Sequence, residues 1–316
     1  MKSGHTAILQ IEKPGLQTSV QDLGRPQGAS WGLPIGGAAD GFAIQVANLL
    51  LGNSLDAAAL EITLGGFRAQ FLHTTSFALA GADCQARLDG QILLPNAVYR
   101  GVKGQTLQLA APAQGVRTYL ALPGGIDVPV LWGSRSTLLS AQLGGWDGRV
   151  LHKGDLIAAR RRDKLRPACA VAMPERGQIV RFIAGPQWQE LGLEGQKNFT
   201  AQNWKVDAKS NRMGLRLNGN QLSMEIPIEM ASHAVMAGTV QLPANGLPII
   251  LLSDAQVTGG YPVIAQIIQA DLWRLGQLRP GESFFLLPVE QAEALSALAR
   301  QQAWFKRLAS AIATCT

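Results

Sequence analysis

Lys103-Gly104-Gln105-Thr106-Leu107-Gln108-Leu109-Ala110 sets a glycine turn directly before an apolar strand, and the chain repeats the device twice. Lys153-Gly154-Asp155 leads into Leu156, and Pro280-Gly281-Glu282 leads into Ser283–Leu287. In each, glycine supplies the positive φ of a tight turn and the polar residue enters the strand. Further short apolar runs lie at Ala7–Ile11, Ala69–Leu72, Ser76–Ala80, Thr118–Leu122, Ile179–Ile183 and Ile249–Leu252, nearly all bounded by glycine or proline. Strands at this spacing, without helices alternating between them, predict a mainly β fold of barrel or sandwich type rather than a βαβ array.

Two segments read as helices. Asp40 is placed to cap one whose apolar face is Phe42, Val46, Leu49 and Leu50, with Gly52 ending it. After Pro288, Leu295, Leu298, Phe305, Leu308 and Ile312 fall near one face of a long terminal helix. The Arg- and Pro-rich stretch from Arg160 to Gly177 divides two β-rich units, 1–165 and 166–288, leaving 289–316 as the C-terminal helix.

Of the 316 residues, 47% are hydrophobic and 16% charged, against about 25% charged in an ordinary domain. Such a chain buries a sizeable core and is not intrinsically disordered. The net charge of +6 has one cluster, Arg160-Arg161-Arg162 with Lys164 and Arg166, which reads as a solvated linker. No stacked aromatic series accompanies it, so nothing else supports a nucleic-acid partner. Cys84, Cys169 and Cys315 are odd in number and far apart, as expected of free thiols in a reducing compartment. Met1–Leu16 lacks the apolar core of a signal peptide. The longest uncharged stretch, Met230–Ser253, holds His233, Gln241, Pro243, Asn245 and Pro248 and does not suit a spanning helix. The expectation is a soluble, cytoplasmic protein with no membrane partner.

Absent motifs narrow the chemistry. No two glycines stand at i and i+2, which removes the dinucleotide fingerprint, and there is no P-loop. His5, His73, His152 and His233 are scattered and no C-x-x-C occurs, so no metal site is expected. Gly28-Ala29-Ser30-Trp31-Gly32 matches G-x-S-x-G, but neither flank suits the strand and helix that a nucleophile elbow requires.

Three constellations carry candidate chemistry. In Gln21-Asp22-Leu23-Gly24-Arg25-Pro26, followed by Gly36-Gly37-Ala38-Ala39-Asp40, Asp and Arg can orient the polar ends of a ligand. An Asp22–Arg25 turn pair and a helix cap at Asp40 explain the same residues. In Asn211-Arg212-Met213-Gly214-Leu215-Arg216, a guanidinium beside glycine can clamp a carboxylate or phosphate, though arginines at turns are often surface residues. In Ser253-Asp254-Ala255-Gln256-Val257-Thr258-Gly259-Gly260-Tyr261-Pro262, a carboxylate and a phenol flank a Gly-Gly loop and can serve as base and hydrogen-bond donor around a carbonyl. A hairpin with a packed tyrosine is the bland alternative.

These residues also carry a resemblance. Thr18–Pro26, Ala59–Gly66, Gly124-Gly125-Ile126-Asp127-Val128-Pro129, Gly133-Ser134-Arg135-Ser136-Thr137, Ser210–Gly214 and Thr258–Pro262 together resemble the carboxyltransferase-domain family, also called allophanate hydrolase subunit 2, from about Ile8 to about Val289. The resemblance implies cyclophilin-like β-barrel units and a chain that works with a related one. Members include the C-type subunit of bacterial ATP-dependent 5-oxoprolinase, half of the carboxyltransferase domain of urea carboxylase, and an antagonist of a histidine-kinase inhibitor. Ser253-Asp254-Ala255-Gln256 before Thr-Gly-Gly-Tyr-Pro looks most like the first.

That likeness implies a hydrolase complex that opens 5-oxo-L-proline to L-glutamate, with ATP and Mg²⁺ bound in the complex. Its partners would be a related subunit of B type and a lactam-hydrolase subunit of A type. The alternatives it leaves are biotin-dependent carboxyl transfer to an amide and non-enzymatic binding of a kinase inhibitor. No Ala-Met-Lys-Met occurs, so this chain is not expected to carry biotin. On this reading Asp254, Tyr261 and Arg212 carry the chemistry. Asp22, Arg25, Asp40, Gln241, Thr258, Gly259 and Gly260 bind substrate or phosphate.

Overall fold

The computed structural model describes residues 6–161, 165–224 and 230–314; Arg162, Lys164, His5 and Cys315 lie outside them. The chain is mainly β and divides into two compact units. The first comprises 1–26, 36–174 and 305–316, and the second 27–35 and 175–304.

The first unit holds β1 (Ala7–Pro14), β2 (Gln17–Gln21), β3 (Ala59–Thr63), β4 (Phe67–Phe71), β5 (Thr75–Gly81), β6 (Arg87–Leu88), β7 (Gln91–Ile92), β8 (Ala97–Gly101), β9 (Thr106–Leu109), β10 (Arg117–Ala121) and β11 (Leu156–Ala158). They form two sheets, in the orders β11-β1-β4-β9-β6-β7 and β2-β3-β10-β5-β8. Strand β4 alternates buried and open positions, the pattern of a sheet with one wet face. Strands β3 and β10 are buried throughout, because helix α1 (Gly41–Leu50) lies against the second sheet. Leu9, Ile11, Phe71, Phe77 and Leu120 meet in the core.

The second unit holds β12 (Ile179–Ala184), α2 (Gly192–Ala201), β13 (Trp204–Val206), β14 (Gly214–Asn218), β15 (His233–Ala234), β16 (Thr239–Gln241), β17 (Ile249–Leu251), β18 (Thr258–Gly259), β19 (Val263–Ile267), α3 (Leu272–Leu275) and β20 (Ser283–Pro288). Seven strands close a barrel in the order β12-β19-β16-β17-β14-β13-β20, and β15 pairs with β18 apart from it. Closure removes the open edges that a free sheet leaves. Phe182, Phe199, Trp204 and Phe284 fill the core, with the Phe182 and Phe199 rings edge-to-face at 5.2 Å.

Helix α4 (Gln291–Thr314) follows β20 as expected. Its buried stripe includes Ala297 and Ile312, and Phe305 packs on Phe42 within the first unit. Leu295, expected on that stripe, is 60% exposed. At about 100° per residue it falls at the stripe's edge, where an apolar side chain loses its cover. The basic cluster also differs from a solvated linker. Arg160 N–H donates to the Gly125 carbonyl and Arg161 N–H to that of Pro123, which ties this strand end into the first unit.

Candidate functional site

The barrel wall of the second unit carries the richest polar loop. After β17 the chain turns through Ser253-Asp254, and β18 then pairs antiparallel with β15, setting Gly259 opposite His233. Gly260-Tyr261-Pro262 leads back into β19. Asp254 and Arg212 meet in a two-pronged ion pair, Nε to Oδ2 at 2.8 Å and Nη2 to Oδ1 at 2.8 Å, with both side chains 5% exposed. The Asp254 N–H also donates to the Arg212 carbonyl at 3.0 Å. The guanidinium fork, suited by chemistry to a carboxylate or phosphate, thus grips a carboxylate of its own chain. This arrangement fixes the plane and position of Asp254 at the base of the loop.

Gln241, on β16, is buried beneath this loop. Its side-chain amide lies so close to Gly259 that a β-carbon there would collide with Nε2. Glycine at 259 is what permits the approach. Three buried polar atoms around this stretch have no hydrogen-bond partner among the described residues: Gln241 Nε2, Ser253 Oγ and His233 Nε2. Each such atom costs about 1–3 kcal/mol, so folded proteins rarely leave them without water or ligand to meet them. Tyr261 is 49% exposed at the far end of the loop and Thr258 is exposed beside it, so the phenol is not a packed core group. An amide N–H₂, a serine hydroxyl and a phenol can all donate to a carbonyl or phosphoryl oxygen.

The candidates of the first unit are placed differently. Asp22 Oδ1 accepts from the Gly24 N–H at 2.8 Å and from Ser134 Oγ at 2.7 Å, and Oδ2 accepts from the Arg135 N–H. Arg25 is fully buried and donates to the Ser136 carbonyl. Gln21 Nε2 reaches the Thr137 carbonyl at 3.1 Å. Two motifs far apart in sequence are thereby clamped together. Asp40 caps α1, its Oδ1 accepting from the Ala43 N–H at 2.8 Å. Of the ten candidates, Arg212, Gln241, Asp254, Thr258, Gly259, Gly260 and Tyr261 belong to the second unit, and Asp22, Arg25 and Asp40 to the first.

Sequence reasoning assigned no role to Glu61, Arg117 or Tyr119. Glu61 on β3 stands opposite Tyr119 on β10, and the phenol donates to Glu61 Oε2 at 2.7 Å while accepting from the Asp40 N–H at 2.8 Å. Arg117 Nε lies 3.4 Å from Glu61 Oε1, and the Ala39 N–H donates to Oε2 at 2.9 Å. Burial pushes the Tyr119 phenol well above its ordinary range, and the charges of Glu61 and Asp40 add to the effect. The available signal was a lone carboxylate in a five-residue run that is otherwise apolar or hydroxylic. Ser30 of the G-x-S-x-G match sits in a 3₁₀ turn, Pro26–Trp31, and donates to the Gln27 carbonyl, which is no nucleophile elbow. Among the described residues no group of three His, Cys, Asp or Glu side chains is placed to hold a metal, and no helix is long and apolar enough to cross a membrane.

Residues 31–287 match the family described as carboxyltransferase domain, subdomain A and B. The C-type subunit of 5-oxoprolinase from Escherichia coli (strain K12) is 42% identical over 309 residues, covering 96% of this chain and 98% of that protein. The Haemophilus influenzae protein of the same name is 36% identical over 88% of this chain and 90% of its own length. Urea amidolyase of Saccharomyces cerevisiae is 30% identical, over 96% of this chain but 18% of that much longer protein. The crystal structure of the K. lactis urea amidolyase superposes with a TM-score of 0.88 at 26% identity, over 97% of this chain and 20% of that one. The barrel, the clamped motifs and these matches agree: the chain belongs to the carboxyltransferase-domain family and spans both of its subdomains.

Proposed function

We propose that this chain is the C-type subunit of an ATP-dependent 5-oxoprolinase, acting with a related B-type subunit and an A-type lactam-hydrolase subunit in the cytoplasm. The observation that supports it is end-to-end similarity, at 42% identity, to a protein named as that subunit. The urea amidolyases match at lower identity and through a small part of their length.

The lactam of 5-oxoproline resists water because its nitrogen lone pair is delocalised into the carbonyl. Transfer of the ATP γ-phosphoryl group to the lactam oxygen, with ADP leaving, removes that resistance. Water then adds to the ring carbon, the C–N bond breaks with the nitrogen taking a proton, and a second water releases phosphate, leaving L-glutamate. Tyr261 donates to the oxygen that water brings to the ring carbon as charge builds on it in the tetrahedral adduct, and the Gln241 amide and Ser253 hydroxyl hold the polar edge of the ligand. Gly259-Gly260 lets the backbone lie against the ring. Arg212 is a positioning residue that holds Asp254, whose carboxylate orients the loop. Mg²⁺ accompanies the nucleotide in the complex, and no step here is routed through the ion. This chain carries no biotin.

The test is to co-purify the chain with both partners and follow glutamate release from 5-oxoproline with and without ATP. ATP-dependent release that disappears when this chain is omitted supports the proposal. Carboxylation of urea in a mixture with a biotin carboxylase, without 5-oxoproline turnover, overturns it. The isolated chain is expected to turn over nothing.

A further inference from the structure

Arg160 and Arg161, from the cluster that reads in sequence as a solvated linker, line a small cavity in the first unit. Ser54, Gly124, Arg160 and Arg161 enclose about 230 Å³. Pockets for drug-sized ligands run from about 300 to 1,000 Å³, so this one suits a small ion or a single group of a larger molecule.

Its walls are fixed from both sides. Asn53 Nδ2 donates to the Leu122 carbonyl at 2.9 Å and to Asn48 Oδ1 at 3.0 Å, and Asn53 Oδ1 accepts from the Gly124 N–H at 2.7 Å. These bonds join the turn bearing Ser54 to the turn at 123–125. The Arg160 and Arg161 N–H groups bond to carbonyls of that second turn. Gly124 has φ +73°, and a β-carbon there would stand 2.8 Å from Arg161 Cγ, so glycine lets the arginine stem lie across the turn. Arg161 Nη2 reaches the Gly52 carbonyl at 3.3 Å and Asn53 Oδ1 at 3.4 Å, which anchors its guanidinium at the rim.

Arg160 is exposed and makes no side-chain hydrogen bond or ion pair among the described residues. Arg135 senses its charge: burial first, and Arg160 second, lower the Arg135 pKa against the opposing pull of Asp22, Asp127 and Asp56. Two adjacent arginines and a serine line one cavity, so donors outnumber acceptors among its described side chains. Among the described residues that line it there is no Asp or Glu. Guanidinium forks with a hydroxyl match the several oxygens of a tetrahedral oxyanion.

We propose that the Ser54–Gly124–Arg160–Arg161 cavity binds a phosphoryl group, as free phosphate or as the phosphate end of a nucleotide. The assignment rests on this geometry and is independent of the 5-oxoprolinase reading.

The test is calorimetric titration of the full chain with inorganic phosphate, with ionic strength held constant by chloride, and with acetate as a carboxylate control. Saturable phosphate binding is expected, weakened at least about tenfold in Arg160→Ala, the loss that one charge-assisted contact produces. Because Arg160 is exposed, the variant should keep the wild-type Tm. Ser54→Ala should weaken binding less. A second arm titrates ATP into phosphate-saturated protein: competition assigns the site to a nucleotide phosphate, and its absence assigns it to free phosphate. No saturable heat from phosphate or ATP overturns the proposal. So does equal binding by Arg160→Ala, or acetate binding as tightly as phosphate.

Discussion

Replacing Asp254 with asparagine leaves the Arg212 guanidinium buried against a neutral amide. Both side chains are 5% exposed and both contacts are 2.8 Å, so water neither screens the pair nor easily replaces it. Removing one partner of such a pair costs about 3–5 kcal/mol, against under about 1 kcal/mol for a surface pair. For a unit of this size about 1 kcal/mol shifts Tm by roughly 3 °C, so Asp254→Asn should lower it by roughly 10–15 °C. Arg212→Lys keeps the charge and loses the fork, and should fall between this variant and wild type. The double variant Arg212→Met, Asp254→Leu removes both charges and should recover most of the lost stability, since a buried ion pair contributes little beyond its apolar replacement. Thermal unfolding of each variant, read beside glutamate release in the reconstituted complex, separates fold from chemistry. A double variant that regains Tm but not turnover assigns the pair to positioning the loop. A drop of less than about 3 °C for Asp254→Asn would refute the reasoning.

Tyr261→Phe should leave Tm unchanged, the ring being 49% exposed, and should cost about 10²–10³ in rate in the complex; full activity would move the chemistry off this loop. Gly259→Ala forces the Gln241 amide aside, so its losses in Tm and turnover should shrink in Tm, but not in turnover, when Gln241→Ala is added. Tyr119 is held neutral in the fold by burial and by Glu61 and Asp40. Its share of stability is complete below its unfolded value of 10.0 and lost as pH rises beyond it, so Tyr119→Phe should flatten the alkaline limb of Tm against pH. Burial raises the Asp155 carboxyl, but hydrogen bonds from Arg149 and the His152 N–H outweigh it and hold the pKa below 3.8. Its stabilisation is therefore present above 3.8 and lost as pH falls through the folded value, and Asp155→Asn should reduce the acid-side slope.

The strands were legible because short apolar runs between glycines leave little choice of period. Ser76–Ala80 and Thr118–Leu122, read from sequence, fall on β5 and β10, and Asp40 caps the helix it was read to cap. What composition and spacing did not reveal was which polar residues face inward. Glu61 and Tyr119 are separated by 58 residues and meet only through the β3–β10 register. Asp22 and Ser134 are separated by 112, and their bond exists only because the Asp22 loop closes on the 134–137 segment. Leu295 shows the converse: its apolar side chain suggested a buried face, but its angle on the helix left it in solvent. Contacts between distant strands are set by topology, which local periodicity does not encode.

Shared motifs do not by themselves separate scaffold from chemistry, since the Asp22–Arg25 and Asp254–Tyr261 stretches are equally glycine-rich and both belong to the motifs that carry the resemblance. Hydrogen-bond accounting separates their carboxylates and hydroxyls, though Gln21 Oε1 beside Asp22 is also buried without a hydrogen-bond partner among the described residues. The Asp22 carboxylate meets Gly24, Ser134 and Arg135, and the Asp40 carboxylate meets its helix, so their polar capacity is used in holding the first unit together. Around the Asp254–Tyr261 loop the sums do not close among the described residues: Gln241 Nε2, Ser253 Oγ and His233 Nε2 are buried without partners, and the loop ends on an exposed phenol. A fold tolerates that cost where something else completes the bonds, and a lactam carbonyl with its ring N–H offers both an acceptor and a donor. The same accounting weighs against placing the reaction at Asp22. A carboxylate already taking three hydrogen bonds would have to break its clamp on the 134–136 segment to serve a substrate, unlocking the loop it holds.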